Sequence, residues 1–239
     1  MRKIIHIVVV IGILVLGYTY INHKATYEPE GISIDKEIYP VTGLDLSHHS
    51  GKVDFAKLKN DNIDFVYLKA SEGADLKDKN LEKNYQSAHS NSVRIGFYHF
   101  FKFNTSPIKQ AQFYLSVIEG KTYEMPLVID VEDWGNNALK SQKQIRRAIE
   151  KFINYVEKQT GCKMIIYTNL LGFNSYIKGV SKNKIWLCSF RKDEKLSGKW
   201  LFWQHSHKGK LAYVEGWADI NTFNGSREEF EVFLANYCN

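Results

Sequence analysis

The stretch that most constrains this chain is 125–134, Met-Pro-Leu-Val-Ile-Asp-Val-Glu-Asp-Trp. An apolar run opened by Pro126 leads straight into Asp130 and Glu132, which are separated only by Val131. Such a run reads as a buried strand whose C-terminal end emerges at a surface or cleft. Strand side chains alternate faces, so Asp130 and Glu132 point the same way, with Cα atoms roughly 6.5–7 Å apart. Neighbouring carboxylates hinder each other's ionisation, and burial raises the pKa of the less hydrated one. One protonated acid beside one charged acid is what cleavage of a glycosidic bond requires. A purely structural role, capping the next helix, also suits the turn that follows.

Around this stretch, apolar runs alternate with helical patterns. Strands are expected from Val41 to the polar residues after Leu46, and over 63–70, 94–101 and 163–168. Helices are expected over 53–59, 80–91, 106–118 and 141–159, the third opened by Ser106 as cap and Pro107 at the first position. The last of these carries Ile145, Ala148, Ile149, Phe152 and Val156 on one side, and Gly161 ends it. Five strands alternating with helices predict parallel βα units wound as a barrel or an open sheet. The last third differs, with strands over 185–190, 200–206 and 218–223 joined without long helices, then a helix over 226–236. A partly irregular α/β barrel accounts for both parts. In such a barrel the reacting residues gather at the C-terminal ends of the strands. Asp45, Glu72, Tyr98, Asp130, Glu132 and Tyr167 all fall there, and Asp219 shares a strand face with Asn221.

The N-terminus gives an address. Arg2 and Lys3 precede an uncharged run over 4–22, interrupted only by His6, which is the pattern of an exported chain. The run is long enough to span a bilayer, and the bulky Tyr18-Thr19-Tyr20-Ile21-Asn22 offers no small-x-small cleavage site. Residues 1–22 are therefore read as a signal-anchor in preference to a signal peptide, whose removal would leave the protein secreted, 23–40 as a linker, and 41–239 as the folded domain. The net charge of +6 suits an anionic surface such as phospholipid or a wall polymer. Lys and Arg are interleaved with acids rather than gathered on one helix, which argues against nucleic acid. The basic segment 192–199 has no functional assignment. Cys162, Cys188 and Cys238 show no metal-ligand spacing, and their pairing is open. His48-His49 and His205-x-His207 lack a third ligand, so no metal is expected.

Five blocks resemble the glycoside hydrolase family 25 lysozymes, the Chalaropsis-type N-acetylmuramidases. They are Gly43-Leu44-Asp45-Leu46-Ser47-His48-His49-Ser50-Gly51, 65–73 with Lys69 and Glu72, Gly96-Phe97-Tyr98-His99-Phe100, Ile129-Asp130-Val131-Glu132, and Trp203-Gln204 followed by Ala218-Asp219-Ile220-Asn221. The resemblance implies a flattened, TIM-barrel-like (β/α)5(β)3 barrel. It also implies hydrolysis of the β-1,4 bond between N-acetylmuramic acid and N-acetylglucosamine in peptidoglycan, with no metal or organic cofactor. By position, Glu132 would be the general acid, Asp130 its charged partner, and Asp45 and Asp219 the other acids of the cleft. Tyr67, Tyr98, Phe100, Tyr167, Trp186, Trp203, Glu72 and Asn221 are the candidates to bind sugar. The chain departs from the family at Trp217-Ala218, where the approach to Asp219 is bulkier. No separate wall-binding module is expected, so retention near the wall would rest on the N-terminal segment and the charge, with the protein acting as a monomer. The alternatives are a chitinase-like hydrolase, which would want a further acid where Val128 stands, and a non-catalytic glycan-binding barrel.

Overall fold

The computed structural model describes residues 31–179, 181–190 and 200–238. The hydrophobic run over 4–22 and the basic segment 192–199 lie outside the described residues. Among the described residues no helix is long and apolar enough to cross a membrane.

The strands are β1 (Thr42–Leu46), β2 (Phe65–Glu72), β3 (Leu76–Lys77), β4 (Arg94–Phe100), β5 (Val128–Asp130), β6 (Ile165–Asn169), β7 (Lys184–Cys188), β8 (Trp200–Gly209) and β9 (Ala218–Phe223). The helices are α1 (Phe55–Asn60), α2 (Leu81–Ser90), α3 (Pro107–Ile118), α4 (Gln142–Thr160) and α5 (Arg227–Asn236). β1 pairs with both β2 and β9, which closes the sheet into a barrel rather than leaving it open. Neighbours run parallel from β1 through β8, while β9 is antiparallel to β8 and β1, and β3 adds a short hairpin arm to β2. The chain thus follows the expected change from βα units to β-rich closure.

Local sequence explains the helices. Ser106 caps α3 by accepting from Lys109 N, with Pro107 in the first turn. Ser141 and Gln144 form a reciprocal capping box at the start of α4, and its apolar stripe from Ile145 to Val156 is buried. Ser226 and Glu229 do the same for α5.

Strand alternation sorts the core into two clusters. Outward residues such as Leu44, Val66, Leu68, Phe97, Ile129 and Ile166 pack against the helices. Inward residues Phe65, Tyr67, Val128, Ile165, Trp186, Phe202 and Phe223 fill the barrel, with Phe230 of α5 joining them. The filling is tight: a Cβ at Gly43 would lie 2.1 Å from the Phe65 ring, and one at Gly96 2.3 Å from the Tyr67 ring. Glycine is required at both inward positions because the neighbouring aromatic occupies the space.

Two features correct or complete the sequence reading. The second half of the expected linker, residues 31–40, docks on the barrel. Gly31 bridges to Ser206, Ile32 N donates to His205 O at 2.9 Å, and the Tyr39 ring meets Trp200 at 5.5 Å. Cys162 and Cys238 form a disulfide that ties the loop after α4 to the end of α5, leaving Cys188 free.

Candidate active site

The register places a polar layer directly above the aromatic filling. Asp45 of β1 stands opposite Asp219 of β9, and Asp130 of β5 lies between Phe100 of β4 and Tyr167 of β6. Lys69 of β2 pairs with Tyr98 of β4, and Gln204 of β8 with Asn221 of β9. The carboxylates collected by this register are therefore Asp45, Asp130 and Asp219.

Glu132 lies two residues beyond the end of β5. The ladder nevertheless continues past the strand, through Phe101 N to Asp130 O and Val131 N to Tyr167 O, both 2.9 Å. Alternation therefore carries through to Glu132, which stands half-buried above the buried Asp130. The backbone beneath it is fixed from two sides. Thr168 Oγ1 donates to Val131 O at 2.8 Å, and Asn136 Nδ2 donates to Glu132 O at 2.9 Å.

Asp130 is buried within the layer. Its Oδ1 is buried without a hydrogen-bond partner. Burial first, and the charge of Glu132 second, push its carboxyl well above the ordinary range, with Lys69 opposing. Burial and the neighbouring Glu132 thus both oppose the charged form of Asp130 in the free site. Lys69 is itself buried and held by Glu72, Nζ to Oε2 at 2.7 Å. Lys102 grips the other oxygen of Glu72 at 3.2 Å. Burial alone would raise Glu72, but its two lysines outweigh it and hold the carboxyl below its ordinary range.

A bulge makes this ion pair possible. Between Lys69 and Ser71, β2 carries one residue more than β4. Ala70 and Ser71 consequently both face the helices, where Ser71 Oγ meets His99 Nδ1 at 2.9 Å. Glu72 returns to the side of Lys69.

Asp45 and Asp219 form the second pair. Asp45 Oδ2 accepts from Asn221 Nδ2 at 2.8 Å and Gln204 Nε2 at 3.0 Å. Burial raises the Asp45 carboxyl to about 6 despite these donors. Asp219 is raised further, by burial and then by the charge of Asp45, and it hydrogen-bonds to Asp45. Burial thus opposes charge on both members of the pair.

The other expected sugar contacts divide. Tyr98 and Tyr167 are half-buried in the polar layer, and Tyr167 donates to Gln204 Oε1 at 2.7 Å. Phe100 stands at the end of β4 with Lys69 and Lys102 over its ring. Four residues are corrected. Tyr67 and Trp186 are 0% and 1% exposed in the barrel filling, out of reach of a polymer. Trp203 faces outward into the helix-side core and donates to Ser189 O. Asn221 is fully buried, spending its amide on Asp45 and accepting from Trp186 Nε1 at 2.9 Å. It orients Asp45 rather than touching sugar.

Sequence reasoning overlooked Lys69 and Gln204 as site residues. Each had a signal, since Lys69 is the single charge in the apolar run Phe-Val-Tyr-Leu-Lys-Ala, and Gln204 shares a face with Phe202. His48, weighed as a metal ligand, instead pairs with the buried Asp78, Nδ1 to Oδ2 at 2.7 Å.

This barrel has counterparts. The model for glycosyl hydrolases family 25 matches residues 44–214, which contain Asp45, Asp130 and Glu132. The chain belongs to that family. The family 25 hydrolase is 31% identical to lysozyme M1 of Streptomyces globisporus, over 82% of this chain and 71% of that protein. A solved family 25 glycosyl hydrolase from Bacillus anthracis superposes on it with a TM-score of 0.77 and 30% identity, covering 87% of this chain and 98% of that one. A bacterial lysozyme from Streptomyces coelicolor gives 0.73 and 30%, covering 83% and 98%. This family 25 hydrolase thus shares its barrel with a glycosyl hydrolase and a lysozyme.

Proposed function

We propose that this chain hydrolyses peptidoglycan between N-acetylmuramic acid and N-acetylglucosamine, with Glu132 as the general acid and Asp130 as its partner. The observation that carries the reading is the buried Asp130 set beneath the half-exposed Glu132 at the C-terminal end of a barrel strand. Lysozyme relatives support the substrate.

The two carboxyls share one proton. A glycan lying over Glu132 strips its water and makes its own ionisation costly. The proton then passes outward from Asp130 to Glu132, which delivers it to the leaving glycosidic oxygen. Asp130 is left as an anion beside Lys69, and it stabilises the positive charge growing at the anomeric carbon. Water completes the reaction, its hydroxyl going to that carbon and its proton returning to the pair. Asp45 and Asp219, with Tyr98 and Tyr167, line the path of the strand. The chitinase-like alternative is not favoured, because the inward position two residues before Asp130 is the fully buried Val128.

The domain from 41 to 239 is the catalytic unit in this reading, working outside the cytoplasm as a monomer. The run over 4–22, with Arg2 and Lys3 before it, tethers it to the membrane. The Cys162–Cys238 disulfide supports an oxidising location. The decisive test incubates the full-length protein with purified peptidoglycan. New reducing ends terminating in muramic acid are expected from the wild type and not from Glu132→Gln. Equal release by both would overturn the assignment of the acid, and release of ends from chitin alone would overturn the substrate.

A further inference from the structure

We propose that Trp134 is a stacking platform for a sugar ring of the glycan strand, at the edge of the mouth beside the bond that Glu132 cleaves. This inference rests on the hydrolase reading and names a contact for it.

Tryptophan is among the residues most buried on average, yet the Trp134 side chain is 75% exposed. Its setting is not a loose loop. Every neighbour is held to the body of the protein. Asp133 Oδ1 accepts from Tyr176 at 2.6 Å. Gly135 O accepts from Lys102 Nζ at 2.6 Å. Asn136 accepts from Phe103 N at 3.0 Å and donates to Phe101 O at 3.0 Å. Asn137 O accepts from Asn104, and Leu139 N donates back to Asn104 at 3.1 Å. Four residues between β4 and α3, with Tyr176 in the helical turn after β6, therefore pin the segment while its indole stays in water.

The same segment is anchored at the mouth. A Cβ on Gly135 would lie 3.2 Å from the Phe100 ring, so the turn rests on the aromatic that carries Lys69 and Lys102. Two residues of chain span at most about 7 Å, which keeps the Trp134 backbone within one sugar unit or so of Glu132. An exposed indole on a pinned segment next to a carboxylate-lined mouth matches the apolar face of a pyranose ring, which offers C–H groups to an aromatic surface. Presentation on a pinned loop means that little order must be gained on binding.

The test compares full-length wild type, Trp134→Ala and Trp134→Phe on peptidoglycan and on the same glycan freed of its stem peptides. Trp134→Ala is expected to raise KM about tenfold on both substrates with kcat within about twofold, and Trp134→Phe to recover most of the loss. Thermal stability should match wild type, because the indole packs against little. An unchanged KM in Trp134→Ala would overturn the proposal. So would a defect seen only when stem peptides are present, which would make the occupant peptide. If wild type releases no ends at all, the hydrolase reading fails by itself. Binding of peptide-free glycan to Glu132→Gln, with and without Trp134→Ala, then still decides the platform, the expected result being about tenfold weaker binding in the double variant.

Discussion

The two ends of the barrel interior are built from the same eight strands and obey opposite rules. The floor holds Phe65, Tyr67, Trp186, Phe202, Phe223 and Phe230, all nearly or fully buried and fitted against glycines. One layer higher, the same inward positions carry Asp45, Lys69, Asp130 and Gln204. Large rings leave the floor no room for a ligand, and its contribution is stability. The mouth buries acids whose charged forms water would favour, and that cost is accepted for reactivity. Strength and chemistry are separated by a single step along each strand.

The largest expected break in this comparison is Glu132→Gln. Loss of the transferable proton should cut turnover by about a thousandfold or more while the thermal midpoint stays put, read by reducing-end release and calorimetry. A floor substitution should do the reverse. Phe202→Ala is expected to destabilise the fold by about 3–5 kcal/mol in urea titration, through the cavity it leaves. If the folded fraction of that variant lost as much turnover as Glu132→Gln, floor and mouth would not be separable.

Asp45→Asn sharpens the contrast. The Asp45 carboxyl has its pKa raised from 3.8 to about 6 in the fold, so the folded state binds the extra proton. Its stabilising effect is complete below about pH 4 and is lost as pH rises through about 6. Asn at this position keeps an acceptor for Asn221 and Gln204 and offers a donor toward Asp219. The variant should therefore gain up to about 3 kcal/mol at pH 7 and lose the fall in stability between pH 4 and 6, at the expense of activity. A thermal midpoint with the wild-type pH dependence would refute this. The smallest effect is expected from Lys69→Met, which removes the cation opposing the rise of Asp130. Turnover should fall about tenfold, and the pH–rate profile should shift to higher pH on its acid limb. An unshifted profile would leave Lys69 with a packing role alone.

Much of the mouth was legible because parity is local. Asp130 and Glu132 share a face whatever the rest of the chain does, and the caps at Ser106, Ser141 and Ser226 mark helix starts by chemistry confined to four residues. Depth was not legible. Tyr67 and Tyr98 read alike in sequence, yet the stagger between β2 and β4 sets Tyr67 beside Gly96 in the filling and Tyr98 one layer above. Trp186 was misjudged for the same reason. Asn221 looked like a sugar ligand because its neighbours β1 and β8, which claim its amide through Asp45 and align it with Gln204, lie 176 and 17 residues away. Residues 31–40 carry no periodicity, so their docking along β8 had no local signal.

The extra residue in β2 has a consequence for anyone who would edit this enzyme. Straightening the strand with Ala70 kept in place would restore a perfect alternation, and everything after Ala70 would change sides. Serine would face the substrate, and the glutamate would be driven among the helices against His99. The ammonium group of Lys69 would lose its tether, and with it the cation set against Asp130. An irregularity that looks like noise is where the strand swaps its two vocabularies, and the ion pair of Lys69 with Glu72 depends on leaving it uncorrected.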